Sequence, residues 1–171
     1  FPALTQTPEA PYEDGNDFYK SQENYGKCEV ILYSPEHTAK FYELSEDHIV
    51  KLLNLIKERH SELAKDEKIK YIYPFENKGE AVGVTMPHPH GQLYGYSFVP
   101  QKLQVELDSA KDHHHEHGEC LFCKMNQVEK EKNARIVGEN DSFLAYIPFF
   151  TDYPYGVFVV PKRHMNYITD C

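Results

Sequence analysis

The sequence predicts an α+β fold: an antiparallel sheet with a packed helix, in one nearly complete copy followed by the start of a second. Short β-branched and aromatic runs such as Cys28–Ser34 (CEVILYS) recur between turn-forming residues, as strands do. One longer stretch repeats apolar side chains at helical spacing, with Ile49, Leu52, Leu53, Ile56 and Leu63 on one face. Val30–His37 (VILYSPEH) is echoed by Val157–His164 (VFVVPKRH), each an apolar strand followed by a proline-containing turn and a histidine. Short similarities of this kind also arise by chance, so the echo alone leaves duplication and coincidence both open.

Residues 1–27 are rich in Pro, Glu, Asp and Tyr, show no sustained period, and read as an extended arm. Cys28–Ser34 is the first strand. Ser45 is suited to cap a helix, with Glu46 and Asp47 favourable at the positive end of its dipole, and the helix is expected to run to about Ala64. Ile69–Phe75 and Leu93–Val99 read as two further strands. Residues 108–119 (DSAKDHHHEHGE) are polar and His-rich and read as an exposed connector. Ala134–Val137 and Ser142–Ile147, joined by a turn at Gly138-Glu139-Asn140-Asp141, read as a hairpin, with Gly156–Val160 as a third strand. The expected organisation is a first half over 1–107 with its N-terminal part missing, the connector at 108–119, and a truncated second half over 120–171.

The 171 residues suit one ordinary domain or two small ones, and 40% hydrophobic with 13% aromatic residues is enough to build a core. No stretch approaches the ~20 apolar residues of a membrane helix, and no N-terminal pattern resembles a secretion signal. The chain begins at Phe1 and so reads as lacking its own start. A net charge of -9 argues against a nucleic-acid partner, while a small phosphorylated ligand held by local donors stays compatible. Cys28 and Cys171 are isolated, whereas Cys120-Leu121-Phe122-Cys123 is the spacing of a metal or redox pair. The expectation is a soluble, cytoplasmic protein without a membrane partner.

The chemistry concentrates in His88-Pro89-His90-Gly91-Gln92. Pro89 biases His88 toward an extended conformation. Side chains two apart on an extended chain share a face, which puts His88, His90 and Gln92 together. Gly91 has no side chain, leaving room for a phosphate near the backbone, and Gln92 brings two N–H donors and one acceptor. Upstream, Glu76-Asn77-Lys78-Gly79 and Gly83-Val84-Thr85 add donors and small residues. An ordinary imidazole titrates near pH ~6.5, so at neutral pH it is a nucleophile able to attack phosphorus and form a labile phosphoramidate. Such a nucleophile needs its ring held, for instance by a backbone carbonyl, and donors for the phosphoryl oxygens; Gln92 and Thr85 qualify. A third histidine in place of Gln92 would help water attack, whereas glutamine does not titrate, which favours transfer over hydrolysis.

The run resembles the signature of galactose-1-phosphate uridylyltransferases, a branch of the histidine triad superfamily. Phe1-Pro2-Ala3-Leu4, Ser34-Pro35-Glu36-His37, Glu76-Asn77-Lys78-Gly79, Ser97-Phe98-Val99-Pro100 and Pro161-Lys162-Arg163-His164 follow the family's order across nearly the whole chain. The resemblance implies a histidine-triad-like fold and a ping-pong reaction. UDP-glucose uridylylates His90 and glucose 1-phosphate leaves; galactose 1-phosphate then takes the uridylyl group to give UDP-galactose. The resemblance further implies that Gln92 holds the intermediate, that Asn77 and Thr85 touch the phosphates, that Phe1 borders the nucleoside pocket, and that the complete protein is a homodimer. Thr85 stands where the family often has Ser. The family is roughly twice this length, so the chain reads as its central portion.

Zinc is implied in the same way. In many members an upstream Cys-x-x-Cys, absent from this chain, joins the counterparts of His37 and His88. Some carry a second metal, iron or zinc, on the counterpart of Glu106 and three C-terminal histidines that this chain lacks. If the echo pairs His164 with His37, then Cys120, Cys123 and His164 become three ligands of a second zinc site, completed from outside the chain. The plain readings are unmetallated thiols, a histidine that merely follows a turn, a solvated Glu106, and a solvated linker at His113, His114, His115 and His117. Two other functions stay open: a different histidine triad phosphorylase or hydrolase, and a zinc-stapled nucleotide-binding module without catalysis. The chain alone is expected to be inactive and poorly stable.

Overall fold

The computed structural model of the protein describes residues 3–12, 15–16, 18–84 and 86–171. Two compact units divide the chain, Phe1–Pro100 and Gln101–Cys171. The first unit ends at Pro100, and the second opens on a helix that begins at Gln101.

The first unit contains strands β1 (Gly26–Leu32), β2 (Tyr71–Phe75) and β3 (His90–Tyr96), with helix α1 (Glu46–Leu63) between β1 and β2. The sheet order is β1-β3-β2 and both pairings are antiparallel. Along β3 burial alternates: Gly91, Leu93 and Gly95 are buried, while His90, Gln92, Tyr94 and Tyr96 are half-buried on the other face. The core joins Leu93 to Ile31 and Tyr33 of the sheet side and to Leu52 and Leu63 of α1, with Phe41, Leu44, Ile56, Ile69 and Ile72 packed against them. Because α1 covers one face, the opposite face is left for the chemistry-bearing residues. Ser45 caps α1 as expected, its hydroxyl accepting from His48 N–H at 3.3 Å. Arg59 of α1 donates to both carboxylate oxygens of Glu29 on β1, at 2.9 and 2.7 Å, tying helix to sheet.

Pairing, rather than apolar content, sets where the strands end. β1 starts at Gly26, ahead of the expected Cys28, because Gly26 still pairs with Tyr96. β3 starts at His90 rather than Leu93, because His90 pairs with Leu32. Beyond that pair Tyr33 N–H donates to the Pro89 carbonyl at 2.9 Å. Pro89 has no N–H to return, so the ladder stops there, one residue before the nucleophile candidate.

The second unit contains α2 (Gln101–His117), α3 (Leu121–Lys132) and the antiparallel sheet β4-β5-β6, with β4 at Ile136–Glu139, β5 at Phe143–Tyr146 and β6 at Phe158–Pro161. The stretch expected as a connector, 108–119, is helical through His117. It carries no apolar stripe, which hid the helix from a periodicity reading, and it stops where Gly118 turns to a φ of 71°. Helix α3, which starts just after Cys120, is a further element beyond those the sequence predicts. The hairpin is present with a shifted turn. Gly138 and Glu139 belong to β4, and Asn140 Oδ1 makes the turn by accepting from Ser142 and Phe143 N–H at 2.9 and 2.7 Å. Leu144 and Tyr146 are the most buried side chains described in this unit, and the Tyr146 hydroxyl donates to Asn126 Oδ1 at 2.8 Å. The buried Glu129 carboxylate is met by both Nε and a terminal nitrogen of Arg135, at 3.0 and 2.9 Å.

Candidate active site and metal ligands

His90 opens β3, and its Nδ1 lies 2.8 Å from the backbone carbonyl of His88. A carbonyl only accepts, so Nδ1 carries the proton and the neutral ring keeps its lone pair at Nε2. The carbonyl brace required of a nucleophilic imidazole is therefore supplied by the residue two positions earlier.

Two cavities meet at this ring. One of about 470 Å³ is bordered by Thr38, Glu76, Asn77, His88 and His90. The other, of about 240 Å³, is bordered by Asn77, Gly83, Val84, His90 and Gln92. His90 and Asn77 border both, and Gln92 shares the smaller with His90, as alternation along the strand requires. Gln92 Oε1 accepts from the Tyr94 hydroxyl at 2.9 Å, a partner the sequence reading missed. Its signal was the spacing of two residues along the same strand face. Phe1 and Thr85 lie outside the described residues.

Gly91 has a different reason from the one expected. It faces the core rather than the cavities: a Cβ there would collide with the Tyr33 hydroxyl and lie 2.9 Å from Cζ. Burial first, and then the Glu76 carboxylate, push the Tyr33 phenol up to about 12, so it stays protonated beneath the strand that carries His90.

His37 and His88 come together. Their Nδ1 atoms are 3.1 Å apart, and His88 Nε2 lies 2.8 Å from the Ser34 carbonyl. That carbonyl accepts a hydrogen bond from His88 Nε2–H, which turns the Nδ1 lone pair toward His37. Two nitrogens on one tetrahedral zinc, each at ~2.0–2.1 Å, lie ~3.3 Å apart. The pair thus fits two positions of such an ion.

In the second unit Cys120, Cys123 and His164 place their ligand atoms within 4.8 Å of one another. Cys123 Sγ and His164 Nδ1 are 3.3 Å apart. His164 Nε2 faces Asn166 Oδ1 at 3.0 Å, which orients the ring with Nδ1 toward the thiols. Burial, followed by the neighbouring Cys120, pushes the Cys123 thiol up. Two thiols and an imidazole in this arrangement fit a tetrahedral, sulfur-preferring ion. Among the described residues this is the one group of three such side chains so assembled. Glu106 lies apart from it in α2, at the edge of a largely apolar cavity of about 620 Å³ bordered also by Leu121, Phe122 and Phe158. No described helix is long and apolar enough to cross a membrane.

Residues 1–100 match a known family, described as "Galactose-1-phosphate uridyl transferase, N-terminal domain". The chain belongs to that family. Similar galactose-1-phosphate uridylyltransferases include that of Thermotoga maritima, 32% identical over 97% of this chain and 52% of the relative. That of Haemophilus influenzae is 29% identical over 99% of this chain and 48% of the relative. A solved uridylyltransferase superposes with a TM-score of 0.90 at 32% identity, over 99% of this chain and 54% of that one. An ADP-glucose phosphorylase from Arabidopsis thaliana, solved with ADP-glucose bound, reaches a TM-score of 0.79 at 27% identity, over 88% of this chain and 46% of that one. The chain spans about half the length of the galactose-1-phosphate uridylyltransferases it matches. The mixed α+β architecture with antiparallel sheets is that of the galactose-1-phosphate uridylyltransferase relatives.

Proposed function

We propose that the complete protein moves a uridylyl group from UDP-glucose to galactose 1-phosphate through a covalent intermediate on His90. The observation that carries this is the Nδ1 contact to the His88 carbonyl, which leaves Nε2 as the nucleophilic atom beside two cavities. In the first step Nε2 bonds to the α-phosphorus and the bond to the bridging oxygen breaks; that oxygen leaves on glucose 1-phosphate. The ring becomes cationic, and its Nδ1–H to the carbonyl strengthens as charge develops. In the second step a phosphate oxygen of galactose 1-phosphate bonds to the same phosphorus, the Nε2–P bond breaks, and the ring returns to neutral. One phosphoanhydride replaces another, so the exchange needs no external energy. Gln92 N–H groups and Asn77 hold the phosphoryl oxygens, with Thr85 and Phe1 proposed at the phosphates and the nucleoside edge. Gln92 brings no titrating group with which to activate water.

His37 and His88 would hold one zinc, and Cys120, Cys123 and His164 another, with Glu106 contributing to a further metal. Zinc held by His37 and His88 would brace the segment that leads into the strand carrying His90. We assign the protein to the cytoplasm and to a homodimer by its likeness to the family. The division into a first half, a connecting segment and the start of a second half is part of the same proposal. An adenylyl donor is the second reading, supported by the ADP-glucose phosphorylase relative, 29% identical over 84% of this chain.

The test uses the complete protein and UDP-glucose labelled on the uridylyl group. An acid-labile adduct that forms in the wild type and is lost in a folded His90→Ala variant is expected. Adduct from ADP-glucose but not from UDP-glucose supports the second reading. Absence of adduct from either donor overturns covalent catalysis and leaves a nucleotide-binding module.

A further inference from the structure

We propose that Tyr94 is a positioning residue that selects which end of the Gln92 amide faces the reacting phosphate. A glutamine amide has two ends of nearly equal shape and opposite polarity, an oxygen that accepts and an NH₂ that donates. Facing a phosphoryl oxygen, the NH₂ attracts and the oxygen repels, so the amide helps only in one orientation.

Nothing in Gln92 itself chooses that orientation. Tyr94 lies two residues on along β3 and therefore on the same face. Its hydroxyl donates to Gln92 Oε1 at 2.9 Å. With the oxygen engaged there, both Gln92 N–H groups are left for the cavity shared with His90 and Asn77. The Tyr94 ring is itself held, edge-on to Phe75 at 5.0 Å and beside Tyr96 at 6.0 Å between centroids. Burial, and after it Cys28 opposite on β1, push the Tyr94 phenol up, so it keeps the proton it donates. The hydroxyl thus arrives from a fixed ring rather than from a mobile side chain, and the amide loses its freedom to flip.

The inference rests on His90 carrying the nucleotidyl group, and the experiment separates the two. Four complete proteins are compared: wild type, Tyr94→Phe, Gln92→Ala and the double variant. Phe keeps the ring and its packing, so thermal melts are expected to stay close to wild type. Two quantities are read: the rate of uridylyl adduct formation from UDP-glucose, and the dissociation constant for uridine monophosphate, which involves no chemistry. Tyr94→Phe is expected to slow adduct formation about tenfold, the size of one hydrogen bond to a charged oxygen. In the Gln92→Ala background the same change is expected to have almost no further effect, and the uridine monophosphate cycle to show the same failure of the factors to multiply. Equal losses from Tyr94→Phe in both backgrounds, or no loss in either measurement, overturn the proposal. A wild type that forms no adduct sinks the covalent mechanism instead, and the monophosphate cycle still decides the role of Tyr94.

Discussion

The Nδ1 atoms of His37 and His88 face each other at 3.1 Å, while the other nitrogen of His88 is committed to the Ser34 carbonyl. Two lone pairs repel at that distance. The contact is favourable only with a proton or a cation between them, and the spacing suits two ligands of one tetrahedral ion. His88→Ala in the complete protein is accordingly expected to lower bound zinc and thermal stability together, as is His37→Ala. Zinc measured by mass spectrometry after dialysis, with a parallel melt, checks this. An unchanged zinc content in both variants would mean that the two rings are joined by a proton alone.

Asn166 offers a finer test of the second cluster, because it touches His164 and none of the proposed metal positions. Losing such an orienting contact commonly weakens a site about 10–100-fold. Asn166→Ala is expected to fall in that range by competition with a chelator, while Cys123→Ser abolishes the site. Wild-type affinity in Asn166→Ala would show that the ring needs no such support.

Gly91→Ala sets a methyl group against the Tyr33 hydroxyl. Overpacking of this kind costs about 1–3 kcal/mol. Tyr33→Phe removes the colliding oxygen but leaves the ring carbon 2.9 Å away, so the double variant is expected to recover only part of the loss. Denaturant unfolding of the three variants gives the comparison. Full stability in Gly91→Ala would place the reason for this glycine back in the cavity.

The Arg59–Glu29 pair carries a pH signature. The Arg59 guanidinium, as the largest influence, holds the Glu29 carboxyl below its ordinary value of 4.5, although burial pushes the other way. A depressed folded value means the pair stabilises fully above 4.5 and loses its contribution as pH falls through the folded value. Arg59→Met is therefore expected to melt below wild type at neutral pH, with the gap narrowing as pH drops under 4.5. Melts across that range measure it; a gap that does not change with pH would leave the pair without an electrostatic role.

Much of the first unit was legible because its signals are local. Ser45, Glu46 and Asp47 announce the start of α1, and the alternation through His90, Gly91 and Gln92 announces which side chains share a face. Helix α2 was not legible, because helical periodicity shows only when one face is apolar, and 108–119 is polar all round. Strand ends were displaced for a related reason: apolar content marks where a strand is favoured, while hydrogen-bond partners decide where it stops, as Pro89 does for β1.

The antiparallel α+β character, the motif around His90, and the closeness of Cys120 to Cys123 in one short segment can all be read along the chain, since each depends on neighbours a few residues apart. Three-dimensional folding settles which nitrogen of each imidazole is left free, that the Tyr33 ring occupies the space a side chain at Gly91 would need, and that His164 meets Cys123 across 41 residues of chain. Those outcomes depend on carbonyls and rings delivered by other segments, and spacing along one strand or helix carries no record of what the fold brings to face it.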